Sequence, residues 1–242
     1  MSDISEIPQA VQAQVDAGAD VIKMYASTGS AADVTGNPTF NQAEIQAAVE
    51  AAHRAGKKIA IHSYGPIAGR DAVQAGAESL EHAVDLDDAT LAEMARRGTF
   101  YVPTIDHNRY YAAHAAEYGY TAEQVAALDA YRARNLETAR RAVKAGVRFA
   151  MGSDAVFTGF GENTRELHWF VEAGMSPAQA LAAATTNGAA LLGMDKTIGA
   201  VAPGYFADLV AVEGDPLANV DAVINGVRWV MKGGTVVVDR TK

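Results

Sequence analysis

A strand-then-helix rhythm runs through most of the chain and constrains its fold more than any other feature. The apolar strand candidates are Ala19–Ala26 (ADVIKMYA), Lys58–Tyr64 (KIAIHSY), Ser79–Ala83 (SLEHA), Thr99–Ile105 (TFYVPTI) and Val147–Asp154 (VRFAMGSD). They are short, partly β-branched and without polar alternation, as strands covered on both faces are. Helical segments lie between them, and a helix of roughly Ser5–Ala17 precedes the first. Asn41 with Glu44, Thr121 with Gln124 and Ser176 with Gln179 have the spacing of capping boxes. Pro177 then falls at a first helical position, where its missing N–H costs nothing. Gly56, Gly76, Gly98, Gly146 and Gly174 each close an Ala-rich or Arg-rich helix. A repeating βα unit calls for a parallel sheet, as a barrel or a doubly wound layer.

After Gly199 the texture changes. Ala207–Val212 and the stretch Val223–Val238 read as strands, with turn signals at Asn225-Gly226 and Gly233-Gly234. The expected architecture is α/β: a partial (β/α) TIM-type barrel over residues 1–200 and a small C-terminal β appendage over 201–242. A closed eight-stranded barrel needs about 250 residues on its own. At roughly 30 residues per βα unit, about three units are missing from such a barrel. Five parallel strands leave sheet edges that something must cover.

Composition narrows the chemistry. The chain has no cysteine, which removes disulfides, zinc–thiolate sites and thiol nucleophiles. A metal would have to be held by histidine, carboxylate or a modified side chain. The formal net charge of −9 argues against a nucleic-acid or anionic-membrane binder. The opening MSDISEIPQA has neither the basic nor the apolar region of a signal peptide. No apolar run approaches the roughly 20 residues that span a bilayer, so the cytoplasm is the expected compartment.

Four residues share one place in the repeat. Lys23, His62, His82 and Asp154 fall near the carboxyl ends of different strands, the edge on which (β/α) barrels build their active sites. Two imidazoles and a carboxylate suit zinc or another borderline divalent metal, one ion or two. Such an ion polarises a carbonyl and activates water. Taken singly, Lys23 is a solvated charge, each histidine a structural one and Asp154 a turn cap. Their common placement favours ligation.

In order along the chain, the motifs are ADVIKMYAS around Lys23, IAIHSYG around His62, SLEHA around His82 and FAMGSDA around Asp154. MSPAQALAAATTNGAALLG and PGYFADLVAVEGDPL follow them. Together they resemble the amidohydrolase superfamily, in its imidazolonepropionase-like and Xaa-Pro dipeptidase-like branch, over nearly the whole chain. The resemblance implies that Lys23 is carboxylated and bridges two metals, that His62 and His82 bind the second metal, and that Asp154 binds the first. Asp154 would also take a proton from the attacking water and return it to the leaving amine. The implied reaction is metal-dependent hydrolysis of a C–N bond in a small-molecule amide, dipeptide or cyclic amide.

The family's His-x-His motif is absent from this sequence, as are the N-terminal strands that pair with such an appendage. The chain therefore resembles the C-terminal part of an enzyme. The competing expectation is a non-catalytic fragment, or one subunit of a split enzyme completed by an N-terminal partner chain. Unpaired edges also predict a homo-oligomer.

Tyr64, directly after the His62 strand, and His107, in the loop with Asp106, Asn108, Arg109 and Tyr110, are substrate-binding candidates. Ser27–Ser30 reads as a loop over the site. His53, His114 and His168 read as structural or exposed, and Asn187-Gly188 as packing.

Overall fold

The computed structural model describes residues 4–30, 32–156 and 159–241. The chain divides into two compact units, Met1–Arg148 and Phe149–Lys242. The first alternates helix and strand: α1 (Glu6–Asp16), β1 (Val21–Tyr25), α2 (Gln42–Arg54), β2 (Lys58–Ser63), α3 (Pro66–Ala75), β3 (Ser79–His82), α4 (Asp88–Arg97) and β4 (Phe100–Val102). Then follow α5 (Ile105–Ala113), α6 (Ala115–Tyr118), α7 (Ala122–Lys144) and β5 (Arg148–Phe149), whose last residue opens the second unit. The sheet has five strands in the order β1-β2-β3-β4-β5, parallel through β1 to β4. This is the expected partial (β/α) barrel sheet.

Local signals explain the helices. Asn41, Thr121 and Ser176 each accept the N3 amide while Glu44, Gln124 and Gln179 reach back, so all three capping boxes form. In α2, Ile45, Ala48, Val49 and Ala52 recur at helical spacing and are buried.

The strands are shorter than the apolar runs suggested; β1 alternates in burial, whereas β4 is buried throughout, as expected of a covered strand. Ile22, Met24, Ile59, Ile61, Leu80 and Tyr101 are buried on one face. The register places Lys23, Tyr25, Ala60, His62 and Glu81 together on the other. In β1 that second face is open, with Tyr25 60% exposed. Thr99–Ile105 is a strand only through Val102, because Pro103 has no N–H for the ladder. Ile105 then begins α5, so His107 lies on a helix and not in a loop.

The second unit carries α8 (Glu166–Glu172), α9 (Pro177–Ala184), α10 (Thr186–Leu192), β6 (Leu209–Val212), α11 (Asp221–Asn225), β7 (Val227–Lys232) and β8 (Thr235–Asp239). Its antiparallel sheet runs β6-β7-β8. The Gly233-Gly234 turn joins β7 to β8 as expected, with both glycines at positive φ. Asn225-Gly226 is not a hairpin turn. It ends the short α11, whose carbonyl at Ala222 takes the Gly226 N–H. Asn187 serves packing: its amide donates to the Phe149 carbonyl at 2.9 Å. Among the described residues, no helix is long and apolar enough to cross a membrane.

Candidate metal-ligating site

The site begins with the register of β2 and β3. Glu81 lies level with His62, and His82 level with Ser63. Strand alternation alone would therefore put the two histidine rings on opposite faces of the sheet. His82 ends its strand with φ +70°, a left-handed conformation that L-residues seldom adopt. The turn redirects its side chain, and the two ring centroids stand 4.7 Å apart. Both rings are buried. His82 Nδ1 meets Thr104 Oγ1 at 2.6 Å, and Thr104 too is left-handed, with φ +49°. His62 Nε2 is buried and has no hydrogen-bond partner.

Electrostatics keep the pair neutral. Burial holds His62 down to about 4, the Lys23 ammonium pushes the same way, and a hydrogen bond to the Thr28 backbone opposes them. Burial, then His62, Lys23 and His107, hold His82 well below the ordinary histidine range. A neutral imidazole keeps a lone pair, the form in which histidine binds metal.

Lys23 is the middle residue of β1, and its Nζ donates to Glu81 Oε2 at 3.2 Å. Glu81 also accepts from Ser79 Oγ at 2.6 Å. Tyr64 is buried, with its ring 5.1 Å from His62 and 5.2 Å from His82. Its opposite face stacks on Tyr131 at 4.6 Å. His107, buried on α5 against Tyr111 at 5.0 Å, is close enough for its charge to act on both His62 and His82. The first unit thus brings Lys23, His62, His82, Tyr64 and His107 into one neighbourhood.

Asp154 belongs to the second unit. It is exposed and has φ +47°. It lies beyond the end of β5 at Phe149, so the expected strand Val147–Asp154 stops well short of it. Of the histidines read as structural, His53 pairs with Glu78 at 3.0 Å and His114 stacks on Tyr110 at 4.2 Å.

Among the described residues, no group of three His, Asp or Glu side chains stands close enough to hold a metal ion. The histidine pair nonetheless fits a divalent ion: two adjacent neutral imidazoles, one with an orphaned nitrogen and the other steadied by a hydroxyl at its far nitrogen. Glu81, Thr104 and Tyr131 were not among the sequence candidates. Glu81 could have been found as a second charge inside an apolar strand. Nothing in the sequence marks Thr104.

Two buried imidazoles meet at neighbouring strand ends of a parallel βα sheet, the edge on which (β/α) barrels build their sites. The chain belongs to the amidohydrolase family, which its residues 3–237 match. It is similar to ochratoxinase from Aspergillus niger, 34% identical over an alignment of 238 residues that covers 96% of this chain and 49% of that protein. It therefore spans about half the length of the curated relatives it matches. Among solved structures, it is similar to a Xaa-Pro dipeptidase with methionine bound in the active site. That match has a TM-score of 0.87 and 33% identity, covering 98% of this chain and 59% of that one. A prolidase complexed with N-methylphosphonate-L-proline matches with a TM-score of 0.89 and 30% identity, over 98% and 59% of the two chains.

Proposed function

We propose that the chain supplies the later part of a hydrolase that cleaves a C–N bond in a small-molecule amide, dipeptide or cyclic amide, with His62 and His82 holding a divalent ion. The observation that carries this reading is His62 Nε2, a buried nitrogen without a partner on a ring kept neutral beside a second neutral ring. Imidazole ligands favour zinc among the common divalent ions. A bound ion would polarise a carbonyl and acidify a water molecule.

The chain's own groups have separate tasks. Thr104 fixes the direction of the His82 ring. Lys23, as a carbamate, would add an anionic ligand. Its ammonium now donates to Glu81, so carboxylation would break that pair. Asp154 would accept a proton from water and return it to the leaving nitrogen, a role that rests on its sequence motif. Tyr64 and His107 would meet the substrate. The relatives support hydrolysis, and the dipeptidase and prolidase neighbours favour an Xaa-Pro dipeptide as the first substrate to try.

A second reading has its own support. The sequence carries no His-x-His, a motif that a complementing partner chain would supply. Hydrolysis of an Xaa-Pro dipeptide should be followed with zinc, with and without a separately expressed segment bearing His-x-His. Turnover that Asp154→Asn removes supports the hydrolase. Turnover confined to the mixture supports the partner reading. No turnover in either setting, over a range of amides, contradicts both.

A further inference from the structure

The stretch from Ser27 to Pro38, described except at residue 31, passes over the Tyr64-Gly65 backbone that follows His62. It is fastened at its ends. Ser27 and Pro38 form an isolated β-bridge. Thr28 N donates to the Asn37 carbonyl at 2.7 Å, and Asn37 N donates to Thr28 Oγ1 at 2.9 Å. Its inner side holds the site. Tyr64 N donates to Ser27 Oγ at 2.8 Å, Ala26 N just before the segment donates to the His62 carbonyl at 3.0 Å, and Val34 packs on Tyr64, Val84 and Tyr131.

Two glycines allow this approach. A Cβ at Gly36 would lie 2.6 Å from the Tyr64 carbonyl carbon and 2.7 Å from Gly65 N. At Gly29 it would lie 2.3 Å from Tyr64 Cγ. Contacts this short against backbone and a buried ring force the segment to move.

We propose that this segment is a positioning strap for His62. By closing on Tyr64 and Gly65 it sets the direction of the His62 ring, and so tunes metal affinity without supplying a ligand. The inference rests on the reading of His62 as a metal ligand. Partners that orient a ligand from behind typically change metal affinity about 10- to 100-fold when lost.

Gly36→Ala and Gly56→Ala make the test. Both glycines are left-handed, with φ +66° and +69°, but a Cβ at Gly56 meets nothing within 4 Å. The two substitutions share backbone strain, and only Gly36→Ala pushes the strap away. Affinity for zinc alone, read by competition with a chromophoric chelator, should fall about 10- to 100-fold in Gly36→Ala and stay near wild type in Gly56→Ala. Thermal midpoints measured alongside correct for strain. Ser27→Ala, which removes the hydroxyl that accepts from Tyr64 N and donates to the Thr28 carbonyl, should weaken zinc in the same direction and carries the test if Gly36→Ala does not fold. His62→Asn separates the two claims. If it binds zinc like wild type, the metal reading fails and the strap with it. If His62→Asn loses zinc while Gly36→Ala and Ser27→Ala bind like Gly56→Ala, the strap alone is overturned.

Discussion

His82 and Thr104 are joined by a 2.6 Å contact, and both hold left-handed backbones. Non-glycine residues in that region each cost energy, and such strain gathers where function requires it. Thr104→Val keeps the β-branched shape and its strain while removing the oxygen. The buried His82 Nδ1 would then lack a partner, and unfolding free energy in urea should fall by about 1–3 kcal/mol. An unchanged midpoint would show the contact to be neutral. The imidazoles also set a pH dependence. Native His62 stays neutral until about 4, whereas an unfolded histidine takes its proton near its ordinary 6.5. The unfolded metal-free chain therefore binds more protons in that window, and stability falls as pH drops from about 6.5 towards 4. Urea midpoints measured across this range should decline, and His62→Asn should flatten the decline. A flat wild-type profile would contradict the depressed value.

At the scale of elements, α2 depends on its N-cap. Asn41 accepts the Glu44 amide at 3.0 Å, and Glu44 answers at 2.8 Å. Asn41→Ala should cost about 0.5–2 kcal/mol of unfolding free energy in urea, and an unchanged midpoint would show the cap to be neutral. What the sequence made legible here is local. The three capping boxes and the five βα strands follow from residues close along the chain, so they could be read directly. The meeting of His62 and His82 could not, because it turns on one φ angle at His82 that breaks strand alternation. Lys23 was legible as an unusual charge in a strand, but its partner Glu81 lies two strands away, and pairing across the sheet depends on register. Asn225-Gly226 misled because the same dipeptide that makes a tight hairpin also ends a helix. The strand drawn through Asp154 was too long, because an apolar run bounds a strand only loosely.

For the whole molecule, exposed apolar side chains bear on assembly. Val201, Phe206 and Leu217 of the second unit are 86%, 59% and 63% exposed. The same unit holds an apolar cavity of about 530 Å³ lined in part by Leu167, Leu181, Val210 and Val230. Exposed apolar surface favours association, so sedimentation velocity should show species heavier than the 25.4 kDa chain as concentration rises. A single species of that mass would count against self-association. Histidine ligation remains the claim on which the functional account stands. Equilibrium dialysis against zinc, with wild type, His62→Asn and His82→Asn side by side, tests it most directly. The account predicts that wild type retains zinc and that each variant binds it at least about tenfold more weakly, the usual scale for losing an interaction of about 1.4 kcal/mol or more. Equal zinc retention in all three would contradict it.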